Sequence, residues 1–322
     1  MEPAFFLDGR VALYAEDCMA ALDRLPDNSA DAVVCDPPYG LGFMGKWWDA
    51  AEGVAFRPGL WTQVLRVLKP GGHLVAFSGT RTYHRLAVAI EDAGFEIRDQ
   101  LAWVYGKGFP KAVGLKPAWE PIALARRPLS ESTVAANVAR WGTGALNLEG
   151  CRIATTDNLN GGAYSGARRR RDEHSSTDAT DGAVHLSRFN RGIGEYKQPA
   201  GRWPANIVHD GSDEVIAQFP CRDDGGSAAR FFYCAKAGRE DRIGSKHPTV
   251  KPVSLMRWLV RLVAPRGGVV LDPFAGTGTT GAAAFIEGSR AVLIEREAEY
   301  CADIARRLQS IKQGELSWPV EP

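Results

Sequence analysis

The chain has 322 residues, 45% of them hydrophobic, a formal net charge of +1, and six cysteines with no C-x-x-C pair among them. That is enough apolar material for one large domain or two modest ones, and no run of eighteen or more apolar residues is present to make a membrane span. Residues 1–8 lack the basic-then-apolar layout of a signal peptide, so a cytoplasmic protein is expected, with Cys18, Cys35 and Cys234 as reduced residues in apolar or strand-like runs.

Residues 11–15 and 32–35 read as buried strands with an amphipathic helix, 18–25, between them. A helix over 60–68 is stopped by Lys69-Pro70-Gly71-Gly72, and 73–77 follows as a strand. A helix over 81–93 ends at Gly94, and 95–104 is another extended run. After Tyr105 this alternation dissolves. To about Ser245 the chain is rich in Gly, Arg, Ser and Asp, with strand-like islands at 203–209 and 231–234, one helix near 133–140 and a very polar stretch, 160–183, that reads as a loop. Regular alternation then returns: helix 253–264, strand 269–271, helix 279–287, strand 291–294 and a last helix over 297–311. The pattern predicts α/β architecture in three segments, with 1–104 and 246–322 as the two halves of one domain and 105–245 as an irregular insert.

The near-neutral total charge hides an asymmetry. Residues 105–205 hold 15 Lys and Arg against 9 Asp and Glu, so a basic middle lies between flanks with an acidic surplus. Such a layout suits an insert that meets a polyanion, although a solvated charged face has the same composition.

Two motifs carry chemistry. In Val269-Val270-Leu271-Asp272-Pro273-Phe274-Ala275-Gly276-Thr277-Gly278-Thr279-Thr280, a buried strand runs into a glycine turn and then a helix. Gly276 and Gly278 permit close approach of backbone to a ligand, and the new helix offers unpaired N–H groups. Glu295, at the end of the next strand, stands where a carboxylate accepts hydrogen bonds from ribose hydroxyls. Thr-Thr follows the second glycine where a dinucleotide fingerprint has a third, which argues against a nicotinamide cofactor.

The second motif is Asp36-Pro37-Pro38-Tyr39, at the end of the strand that begins near Ala32. An aromatic amine is a poor nucleophile because its lone pair is delocalised into the ring, and it reacts when acceptors bind its hydrogens and draw the nitrogen toward tetrahedral geometry. The Asp36 carboxylate and Pro37 carbonyl are such acceptors, the prolines hold that carbonyl in place, and Tyr39 offers a flat surface for a base drawn out of a duplex.

Together these motifs resemble the amino-methyltransferases of DNA: Asp36, Pro37, Pro38 and Tyr39 match the family's catalytic D-P-P-Y, and residues 272–278 match its D-P-F-x-G-x-G. The catalytic motif precedes the cofactor motif, an order similar to that of the circularly permuted β subgroup. Asp17 resembles the acidic residue that meets the cofactor's adenine, and His247-Pro248-Thr249-Val250-Lys251-Pro252 resembles the segment at its methionine end. The resemblance implies a Rossmann-like S-adenosylmethionine-dependent methyltransferase fold, circularly permuted, with a target-recognition insert. It implies S-adenosyl-L-methionine as cofactor, held by Asp17, Thr249, Lys251, Asp272, Phe274, Gly276, Gly278, Thr279 and Glu295, and no metal. It further implies double-stranded DNA as partner, a flipped base as target, a homodimer, and a cognate restriction endonuclease in a restriction-modification system.

For the DNA surface, Arg168, Arg169, Arg170 and Arg171 form one candidate phosphate-contacting loop, and Lys107, Lys111 and Lys116 a second candidate rim near the target pocket. Trp47 and Trp48 suit stacking, or plain packing. By the same family resemblance, a motif that opens with Asp rather than Ser leans toward N6 of adenine. N4 of cytosine, RNA as substrate, and a DNA-binding protein that keeps the fold without turnover are the alternatives.

Overall fold

The computed structural model describes residues 2–42, 45, 49–106, 108, 114–159, 198–221, 227–235, 241–247 and 249–312. In chain order its elements are β1 (Ala4–Phe6), β2 (Val11–Tyr14), α1 (Cys18–Arg24), β3 (Ala30–Cys35), α2 (Pro58–Val67), β4 (Leu68–Phe77), α3 (Tyr83–Asp92), β5 (Glu96–Val104) and β6 (Trp119–Arg126). There follow α4 (Val134–Trp141), β7 (Ile207–His209), α5 (Asp213–Ile216), β8 (Tyr233–Cys234), α6 (Val253–Val263), β9 (Val269–Asp272), α7 (Thr279–Ile286), β10 (Arg290–Ile294) and α8 (Ala298–Lys312). No described helix is long and apolar enough to cross a membrane.

Ten strands form one sheet in the order β1-β2-β10-β9-β3-β4-β6-β5-β7-β8. β2, β10, β9, β3 and β4 run parallel, so the last two strands of the chain insert between β2 and β3. β3 is buried along its whole length, as the apolar run 32–35 requires of a strand covered on both faces, and its one charged residue, Asp31, pairs with Lys69 at 2.6 Å. One face carries α1, α2 and α3 through Leu22, Trp61 and Ile90; the other carries α6, α7 and α8 through Trp258, Ala283 and Ile304. The result is the three-layer α/β arrangement expected from the alternating pattern. Local signals set the helix ends: Asp17 caps α1 by accepting from the Met19 N–H, Pro58 opens α2, Thr133 caps α4, and Gly142, at φ 78°, closes α4 in the left-handed region.

One stretch of the middle departs from the sequence reading. Trp119–Arg126, inside the segment where alternation was expected to dissolve, is a buried strand at the heart of the sheet, antiparallel to both β4 and β5. Pro121 disguised it, since proline cannot donate to a ladder. The ring is accommodated because β4 pairing begins only at Ile122, and the backbone of Ala102 opposite Pro121 turns its N–H away to the Asn206 carbonyl. The expected islands at 203–209 and 231–234 are strands only in their last residues, 207–209 and 233–234, which extend the sheet as β7 and β8. Cys18 and Cys35 are free and buried, while Cys234 is half-buried.

Candidate active site

The two motif strands end side by side. β3 and β9 are parallel neighbours, Ala32 pairing with Val270 and Val33 with Leu271, so Asp36 and the 273–278 turn emerge at one edge of the sheet. β10 delivers Glu295 to the same edge, and the reversed direction of β6 brings its first residues, Trp119 and Glu120, there too. All of them line a cleft of about 1300 Å³. Open α/β sheets bind ligands at this carboxyl edge.

Both oxygens of the Asp36 carboxylate are engaged. Oδ1 accepts from the Tyr39 hydroxyl at 2.8 Å, and Oδ2 accepts from the Lys251 ammonium at 2.7 Å. Glu120 Oε2 completes the group, 3.0 Å from the Tyr39 hydroxyl and 3.2 Å from Lys251 Nζ. The ammonium lies 5.4 Å from the ring centre of Tyr39 and 4.8 Å from that of Phe77, and the residue is 5% exposed. Burial opposes its charge, but Asp36 and Glu120 outweigh burial and hold the Lys251 pKa above its ordinary value. Burial and the same two carboxylates hold the Tyr39 phenol protonated, far above its usual range.

The loop that follows Tyr39 is held from two sides. Buried Asp49 accepts from the Gly40 N–H at 2.7 Å and the Leu41 N–H at 3.1 Å, and the Thr82 hydroxyl donates to the Tyr39 carbonyl at 2.7 Å. Gly40 has φ +64°, and a Cβ there would stand 2.4 Å from the Phe56 ring, so only glycine fits. Pro37 and Pro38 line the cleft, together with Trp103, Tyr105 and half-exposed Trp119. The Trp103 and Tyr105 rings lie 5.1 Å apart, and the buried Trp103 Nε1 has no hydrogen-bond partner among the described residues.

At the other end, buried Asp272 accepts from the Phe274 N–H at 3.0 Å, and burial pushes its carboxyl up to about 7. Glu295 Oε2 accepts from the Gly276 N–H at 2.9 Å and Oε1 from the Glu297 N–H at 2.8 Å; burial raises its pKa as well. The two glycines of the turn differ. A Cβ on Gly276 would face the His247 imidazole at 3.6 Å, whereas one on Gly278 would stand 3.0 Å from Ile304 of α8, behind the turn. Asp17, besides capping α1, lies on the cleft wall 3.8 Å from Arg296, with Phe274 and exposed Thr249 also on that wall and Thr279 opening α7. Lys251, expected beside Thr249 at the cofactor's methionine end, lines the same cleft and donates from its ammonium to Asp36.

This end of the cleft fits an adenosine-bearing donor. It has carboxylates for ribose hydroxyls and an exocyclic amine at Glu295 and Asp17, a flat ring at Phe274, and backbone at Gly276 with no side chain in the way.

Several site residues escaped the sequence reading. Glu120 and Trp119 were passed over with their strand, and the signal was there: an acid preceded by an aromatic at the head of the apolar run 121–125. Arg307 was passed over as one charge among many on the last helix. It is fully buried, donating from Nε to the Thr277 carbonyl at 2.8 Å and from Nη2 to the Asp241 carbonyl at 2.6 Å. Asp241 in turn accepts from the Val253 N–H at 2.9 Å, so Arg307 ties the glycine turn to the start of α6, two residues beyond Lys251. The expected DNA-binding residues Lys107, Lys111, Arg168, Arg169, Arg170 and Arg171, and the pair Trp47 and Trp48, lie outside the described residues.

Comparison with known proteins agrees with this geometry. A family model described as DNA methylase (N6_N4_Mtase) matches residues 30–306. The chain is 23% identical over 311 residues to the type II methyltransferase M.HpaI of Haemophilus parainfluenzae, covering 94% of this chain and 75% of that one. It is 22% identical over 333 residues to M.HindIII of Haemophilus influenzae, covering 83% and 85%. Among solved structures, the cytosine-N4-specific PvuII DNA methyltransferase shares the fold with a TM-score of 0.57 at 16% identity, over 97% of this chain and 93% of that one. The M1.HpyAVI complex with SAM does so with a TM-score of 0.50 at 18% identity, over 92% and 98%.

Proposed function

This chain belongs to the N6/N4 family of DNA methylases, and within it we propose that it methylates N6 of adenine in duplex DNA at a specific sequence, with S-adenosylmethionine as donor and the target base flipped into the cleft. The observation that carries this reading is the adjacency of β3 and β9, which opens Asp36 and the Gly276 turn into one cavity. The donor, when bound, supplies an electrophilic methyl on a sulfonium centre.

The protein's own groups do the rest. Asp36 and the Pro37 carbonyl accept the two hydrogens of the exocyclic amine and draw its lone pair out of the ring. Asp36 need not be a strong base, because the amine becomes acidic as its new bond forms and passes a proton to the carboxylate afterwards. Tyr39 packs against the flipped base, and base–aromatic stacking contributes roughly 1–3 kcal/mol. Trp103, Tyr105 and Trp119 widen the aromatic lining of the cleft. A broad aromatic pocket suits a purine, which stacks over more area than a pyrimidine, and the Asp at the head of the motif points the same way.

The test is mass spectrometry of nucleosides from DNA methylated with isotopically labelled donor. Label in N6-methyladenine is expected; label in N4-methylcytosine would overturn the choice of base, and no transfer to any DNA would overturn the function.

A further inference from the structure

Glu120 is a carboxylate of the catalytic end that neither motif contains. It enters from β6, a strand on the far side of β4 from β3, and its Oε2 faces Tyr39 Oη and Lys251 Nζ. Around the ammonium stand Asp36 and Tyr39 from the loop after β3, Glu120 from β6, Phe77 from β4, and His247 from its own segment, with Tyr105 against Glu120. One buried cation is thus shared by two carboxylates. With Asp36 alone as counter-ion, the ammonium would be free to swing fully onto it and cover the acceptor that the target amine needs.

Resting on the active-site reading above, we propose that Glu120 is a positioning residue for methyl transfer: it shares Lys251 and the Tyr39 hydroxyl with Asp36, so that the Asp36 carboxylate keeps one orientation and the second lone pair of its oxygens is left for the amine. The same geometry makes Lys251 the intermediary. Glu120 touches no reacting atom, and its effect reaches Asp36 only through the ammonium and the phenol.

The experiment uses the full chain, unmethylated genomic DNA and radiolabelled S-adenosylmethionine, and compares Glu120→Gln, Lys251→Met and the double variant. Gln keeps the shape and an acceptor oxygen but removes the charge. It is expected to lower kcat by about tenfold or more with KM for both substrates within about threefold, a split that marks weaker transition-state stabilisation. The alkaline limb of the kcat profile is expected to move to lower pH, because Lys251 loses a neighbouring carboxylate. The double variant is expected to be no slower than Lys251→Met alone, since the two act as a unit. Wild-type kcat and pH profile in Glu120→Gln, or fully additive losses in the double variant, would overturn the proposal. Should Glu120→Gln fail to fold, Glu120→Asp is read instead: the charge set back by one methylene should lower kcat and leave the alkaline limb in place, and an unchanged rate would sink the idea. Asp36→Ala separates this inference from its premise. An active Asp36→Ala removes the active-site reading itself, whereas an inactive one beside a normal Glu120→Gln removes only the role of Glu120.

Discussion

Lys251 Nζ and Asp36 Oδ2 lie 2.7 Å apart, although 215 positions of sequence separate the two residues. The segment before α6 therefore reaches across the cleft to the loop after β3, and the residue that the motif pattern assigned to the donor binds the carboxylate proposed to accept from the target amine. A single buried ammonium joins the two halves of the site.

That ion pair makes the first prediction. Lys251→Met preserves length and apolar bulk while removing the charge, so Asp36 loses a charge-assisted hydrogen bond worth about 1.5–3 kcal/mol. Methyl transfer should fall by about tenfold or more, with the donor Kd, measured by calorimetry, within about threefold. A large loss of donor affinity at normal turnover would place Lys251 on the donor instead.

The two glycines of the turn should separate binding from stability. Gly278→Ala forces a side chain into the left-handed region at φ +77° and against Ile304, which should cost about 1–3 kcal/mol of stability and show as a lower Tm. Gly276→Val has more room but stands at φ +52° on the cleft wall. It should retain a cooperative unfolding transition and lose donor affinity by about tenfold or more. Equal effects of both variants on binding would contradict this division.

The Asp272 carboxyl gives stability a pH dependence. Its ordinary pKa of 3.8 is raised to about 7 by burial, so the folded protein holds a proton there that the unfolded chain has released. The stabilisation is complete below pH 3.8 and is lost as pH rises through about 7. Asp272→Asn keeps an acceptor for the Phe274 N–H without the ionisation. Without donor, its stability advantage over the wild type, followed by thermal unfolding at each pH, should grow between about pH 4 and 7 and level off above, amounting to about 2–4 kcal/mol in the free energy of unfolding. A difference that is flat with pH would mean that Asp272 ionises freely in the fold.

For the DNA surface, replacing Arg168, Arg169, Arg170 and Arg171 with alanine should weaken binding with little dependence on sequence. The slope of log K against log salt should become shallower by roughly 0.9 for each phosphate that is no longer neutralised. An unaltered slope would make the run a solvated loop.

How much of this was legible from the sequence follows the range of the signals. The buried strand before Asp36, the strand, turn and helix around Gly276, and the flanking helices announce themselves within a dozen residues, because backbone geometry and burial on one or two faces are written as local periodicity. The same local signals revealed the parallel α/β character and named Asp36, Tyr39 and Glu295 for the site. Pro121 defeated them in β6, since its missing N–H is harmless only where neighbouring strands happen to leave the position unpaired.

What the tertiary structure alone decided is who meets whom. Tyr39 and Glu120 are 81 positions apart, and Asp36 and Lys251 are 215. Neither pairing follows from spacing, because each depends on the order of strands in the sheet: β9 beside β3 brings the two motifs together, and the reversal of β6 delivers Glu120 to their edge. The chain determined which residues could carry charge and chemistry. The sheet determined which of those charges would be buried together, and burial is what turns an ordinary lysine and two ordinary carboxylates into a coupled site.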